Sequence, residues 1–140
     1  MTRLAGDRRL RLTFAATAVL VLLMGLALQL PDRTVAVDLA GSALYACLAG
    51  LAIAIAWPRL PGWAVATAGF GVAGAVELLQ LARLPARLVD AVPLLRFVFG
   101  SSFDPLDFVG YILGALLLIG IVSLARSPVT RGRRRGAPAP

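Results

Sequence analysis

Histidine and lysine are absent from this chain of 140 residues, cysteine occurs once, and charged residues make up only 15% of it. Each scarcity excludes something. Without histidine the commonest metal ligand and general base is missing. A lone Cys47 permits neither an internal disulfide nor a thiolate metal site, and within an apolar run it reads as a small packing residue. No metal and no cofactor is expected. An ordinary soluble domain carries about a quarter charged residues, so there is no room here for a soluble catalytic domain.

What is present is hydrocarbon. Hydrophobic residues account for 59% of the chain, and four apolar runs approach the ~20 residues that cross a bilayer core. They cover about 12–30, 39–57, 62–82 and 104–125. Pro31 and Asp32 end the first, which reads as a retained helix because it is long for a signal peptide and no small-x-small cleavage site follows. Pro58 and Pro61 separate the second from the third, and Pro85 prevents a clean continuation of the third. Asp104 is a good N-cap for the fourth, with Pro105 in the first turn and Asp107 close behind. Trp57 and Trp63 flank the second turn as interfacial aromatics do. The expected fold is an all-α integral membrane protein: a bundle of four transmembrane helices, with an interfacial or re-entrant segment between the third and fourth.

Small residues recur every four positions. Gly110 and Gly114 form a GxxxG, Ala46, Gly50 and Ala54 make a similar row, and Gly69 pairs with Ala73. Such rows let helix backbones approach closely. They suit a bundle closed within one chain better than a homo-oligomer seam.

All fourteen basic residues are arginines, and they are unevenly spread. Ten lie in the first eleven residues, at Arg59 and from Arg126 onward, while Arg33, Arg83, Arg87 and Arg96 make up the other side. The positive-inside rule then puts both termini on the cytoplasmic side of the membrane. The basic tail Arg131–Arg135 reads as a disordered anchor on anionic lipid rather than a nucleic-acid site.

Ionisable groups at membrane depth are functional suspects. Glu77 and Gln80 share a face near the end of the third span, and Arg83 continues it. Asp107, Tyr111 and Gly114 share a face at the start of the fourth, and Asp38 opens the second at the same level. The connection 83–103 is strongly apolar yet carries Arg87, Asp90 and Arg96. Antiparallel neighbours would gather these groups around an outward-facing polar mouth. Arginine forks match phosphate oxygens, and the N-terminus of the fourth helix adds a favourable field for an anion. The ligand-binding candidates are Glu77, Gln80, Arg83, Arg87, Arg96, Asp104, Asp107 and Tyr111; no catalytic residue stands out. The plain structural alternative is that Asp104 and Asp107 only cap a helix, that Glu77 and Gln80 only join helices, and that the arginines only snorkel.

Some of these stretches form a known pattern. Gly41-Ser-Ala-Leu-Tyr45, Glu77-Leu-Leu-Gln-Leu81, Phe99-Gly-Ser-Ser-Phe-Asp-Pro-Leu-Asp107 and Tyr111-Ile-Leu-Gly114 make the segment 41–120 resemble the bacterial membrane proteins grouped as domain of unknown function 2809. More distantly, Glu77-x-x-Gln80-x-x-Arg83 followed by Asp107-x-x-x-Tyr111-x-x-Gly114 is similar to the VanZ-like family. Ser42 stands where the first family usually has Asp, and Tyr111 where the second has Asn. The resemblance implies a four-helix fold in the cell envelope and little about function. The expected role is binding of an anionic lipid-linked group, with the bilayer as the main partner. An accessory subunit of a larger membrane complex and a small lipid-acting enzyme are the alternatives, and a non-enzymatic role is favoured over catalysis.

Overall fold

A computed structural model describes residues 2–81 and 104–127. Among the described residues there are four helices and no strand: α1 (Thr2–Ala27), α2 (Val35–Ala56), α3 (Gly62–Leu81) and α4 (Asp107–Arg126). All four are long and apolar enough to cross a membrane.

The helix ends have local causes. α1 starts well before the apolar run, because the arginine-rich stretch holds no proline and its several arginines, good helix formers, outweigh the single Gly6. Leu10 and Phe14 turn toward the core while Arg8, Arg9 and Arg11 stay exposed. Its C-terminus frays through tight turns, Gln29 N–H to Leu26 O and Leu30 N–H to Ala27 O. Thr34 then caps α2, its hydroxyl accepting from Val37 N–H at 3.2 Å. α2 stops at Trp57, whose N–H bonds Ile53 O, and the proline-flanked turn that follows delivers the chain to α3.

Connectivity makes α1 and α3 run one way and α2 and α4 the other. α2 is the centre, packed against each of the other three, and α1 barely reaches α4. The main core joins Phe14 and Val21 of α1, Cys47, Leu51 and Ala54 of α2, Val65 and Ala66 of α3, and Leu118 and Val122 of α4. The close approaches are made at glycine. A Cβ on Gly69 would lie 2.9 Å from both Ala46 O and Gly50 Cα of α2. One on Gly110 would lie 2.8 Å from Leu39 O, and one on Gly114 would run into Ala43 O. The small-residue rows are thus used between helices of one chain, where backbone contact substitutes for the hydrophobic drive that lipid does not supply.

The outer surface is apolar. Leu20, Leu23 and Met24 on α1 and Ile112, Leu113 and Leu116 on α4 are each at least half exposed. A water-soluble monomer rarely presents so continuous an apolar coat; acyl chains are the solvent it fits.

Candidate functional site

The polar groups collect where α3 ends and α2 and α4 begin. Glu77 is the key to the arrangement. It sits one turn from the end of α3, and it is the buried charged residue of the described core, 1% exposed. An isolated carboxylate so placed is costly unless its oxygens are occupied. Both are. Oε2 accepts from the Tyr111 hydroxyl of α4 at 3.0 Å, and Oε1 accepts from the backbone N–H of Asp104 at 2.6 Å. Asp104 in turn shapes the turn that leads into α4, its Oδ1 accepting from Leu106 N–H at 2.9 Å while its carbonyl accepts from Asp107 N–H; the N-cap position itself falls on Leu106 rather than on Asp104 as expected. One side chain of α3 therefore holds both the entry and the second turn of α4.

Aromatic rings surround the Glu77–Tyr111 contact. Tyr111 meets Phe108 with ring centroids 5.7 Å apart, Phe70 at 6.5 Å and Tyr45 at 6.4 Å. The rings exclude water from the carboxylate on its inner side and leave the α4 N-terminus as its main electrostatic partner.

Closer to the surface the carboxylates are looser. Asp107 Oδ1 lies 2.5 Å from the Ser42 hydroxyl, which also lies 2.9 Å from Asp38 O. A hydroxyl has one proton, so Ser42 donates to one of these at a time. Asp38 pairs with Arg33 at 3.0 Å, both groups well exposed. Asp38, Asp104 and Asp107, with Val35, Leu39 and Leu106, line a recess of about 30 Å³. That volume admits a water molecule and is far below what a small-molecule pocket needs. Among the described residues no group of three or more carboxylates or thiols is placed to hold a metal ion.

The structure thus brings Glu77, Asp104, Asp107 and Tyr111 together at one end of the bundle, with Asp38 beside them. Glu77 and Tyr111 lie beneath the surface rather than on a rim. Gln80 is half-buried one turn beyond Glu77. Arg83, Arg87 and Arg96 lie outside the described residues. The carboxylates of Glu77 and Asp104 take the N–H groups of Asp104 and Leu106 in the turn that leads into α4. Two contributors escaped the sequence reading, Ser42 and Tyr45. The signal for them was a polar stripe, Asp38, Ser42 and Tyr45 at helical spacing on the otherwise apolar α2.

A bundle of four spanning helices, lipid-facing outside and joined by a buried carboxylate within, is a small multi-pass membrane protein. The family described as "Protein of unknown function (DUF2809)" matches residues 31–115, more than half of the chain, and the chain belongs to that family. The match contains every residue of the carboxylate end named above and leaves out α1. No curated protein and no solved structure matches the chain.

Proposed function

We propose that the chain lies in a bacterial cytoplasmic membrane with both termini inside, and that its carboxylate end faces outward and binds a phosphate-bearing, lipid-linked group of the envelope. The observation that carries this reading is the Glu77–Asp104 hydrogen bond. It ties the end of α3 to the start of α4, and so closes the base of the connection that carries Arg83, Arg87 and Arg96. In the sequence these three arginines belong to that connection, and their guanidinium groups are the proposed partners of Asp38, Asp104 and Asp107. Within the described residues Asp104 and Asp107 have no ion-pair partner. A guanidinium fork engages a carboxylate with one edge and a phosphate with another. The recess at this end is too small for a head group, so the ligand is held over it by arginine rather than inside it. Binding without chemistry is the preferred form of this function.

Native mass spectrometry of the purified protein tests it. The wild type is expected to carry a phosphate-bearing lipid that Arg87→Ala and Arg83→Ala lose. Glu77→Gln is expected to weaken retention while the protein stays folded in the membrane, since the swap keeps size and removes the charge. Unchanged lipid retention in all three variants would refute the proposal. Loss of a co-purified protein in place of lipid would favour the accessory-subunit reading.

A further inference from the structure

The opposite end of the bundle carries a second feature that the carboxylate end does not explain. The turn between α2 and α3 reads Trp57-Pro-Arg-Leu-Pro-Gly-Trp63. Its backbone carbonyls are already taken by arginines of other helices. Arg11 of α1 donates to Ala56 O at 3.2 Å, and Arg126 of α4 donates to Pro58 O at 2.8 Å and also to Leu60 O. The turn is thereby fixed from both sides. What it presents outward is Arg59, whose side chain is 68% exposed, between Trp57 and Trp63, 62% and 68% exposed. Arg59 contacts Asp7 at 2.9 Å, and among the described residues Asp7 is the sole acid at this end. Arg8 and Arg9, exposed on α1, flank it.

The helix fields point the same way. α2 and α4 start at the other end, and each has an aspartate in its first turn. α1 and α3 start at this end, and neither has an acid in its first turn. The positive poles of two helices are therefore left unmatched beside an excess of arginine, and an anion is the complement. Indole rings beside it favour the head-group level of a bilayer.

We propose that the Trp57–Trp63 turn is a head-group site for an anionic phospholipid of the leaflet at this end. Arg59 grips the phosphate, Trp57 and Trp63 bed against the glycerol and upper acyl region, and Asp7 competes with the lipid for the Arg59 guanidinium. The site is independent of the outward one proposed above.

The test uses the full chain, reconstituted in vesicles of equal phosphatidylglycerol and phosphatidylcholine, with lipid retained after extraction counted by native mass spectrometry. Wild type is expected to retain phosphatidylglycerol selectively. Arg59→Gln is expected to lower that retention about fivefold, the effect of one basic contact at a membrane surface. Asp7→Asn loses the same ion pair yet is expected to raise retention, because it frees Arg59. A purely structural Arg59–Asp7 pair predicts the same loss of melting temperature in both variants and no opposed change in lipid, and that result overturns the proposal. So does an equal drop from Arg33→Gln at the other end, which would mean general charge attraction only. Glu77→Gln in the same assay reports on the outward site, so either site can fail while the other stands.

Discussion

The two ends of this bundle solve the same problem with opposite chemistry. At one end helices α2 and α4 begin, and side-chain oxygens meet N–H groups at or just before their starts: Thr34 takes Val37 N–H, Glu77 takes Asp104 N–H, and Asp104 takes Leu106 N–H. At the other end α2 and α4 finish, and arginines meet their free carbonyls and those of the adjoining turn: Arg11 reaches Ala56 O and Arg126 reaches Pro58 O. Each arrangement satisfies the orphan backbone groups of helix termini and matches the helix dipole. The difference lies in depth. The central contact of the carboxylate end is buried, whereas at the other end Arg11 is exposed and Arg126 part-buried. A short buried acid fixes geometry; a long exposed base adapts to lipid.

The comparison sets the ranking of expected losses. The largest comes from the middle that both ends depend on. Gly69→Leu forces α3 away from Ala46 and Gly50, and a loss of about 3 kcal/mol is expected from overpacking, read as a lower melting temperature in detergent with both ends disturbed. Next comes the buried contact. Tyr111→Phe leaves Glu77 with one protein donor, and about 2 kcal/mol is expected for a carboxylate so stranded. The basic end should tolerate the parallel insult better: Arg126→Ala is expected to lose about 1 kcal/mol, since the carbonyls it vacates are neutral groups rather than a buried carboxylate. If Arg126→Ala melts lower than Tyr111→Phe, the contrast in depth is wrong. The smallest effect belongs to the exposed Arg33–Asp38 pair, where Arg33→Ala is expected to change stability by about 0.5 kcal/mol and less at high salt.

Much of this was legible before any coordinates. Apolar run length marks the four helices, and Asp104 marks the turn into α4, although the N-cap itself falls two residues later on Leu106. The glycine rows say that backbones touch, but not which ones: Gly69 against Gly50 and Gly114 against Ala43 depend on which helices become neighbours. Helix ends were less legible at α1, where charge suggested a free tail and propensity continued the helix to Thr2. At the candidate site, helical spacing put Glu77 with Gln80 and Asp107 with Tyr111. Their depth was not readable, because the partners of Glu77, Tyr111 and the Asp104 N–H, are 34 and 27 positions away in the chain. Ser42 was passed over as a departure from a resemblance, and its partner Asp107 is 65 positions away. The cation side of the proposed mouth, Arg83, Arg87 and Arg96, falls outside the described residues, so for these the sequence remains the only guide.

Everything functional rests on the carboxylate end facing out and the arginine end facing in. Single cysteines at Ser101, in the connection between α3 and α4, and at Ser127, just after α4, in a Cys47→Ser background, serve as the two reporters. With an impermeant maleimide on intact cells, Ser101→Cys is expected to label at once and Ser127→Cys only after permeabilisation. Labelling of Ser127→Cys in intact cells, with Ser101→Cys protected, would contradict the account.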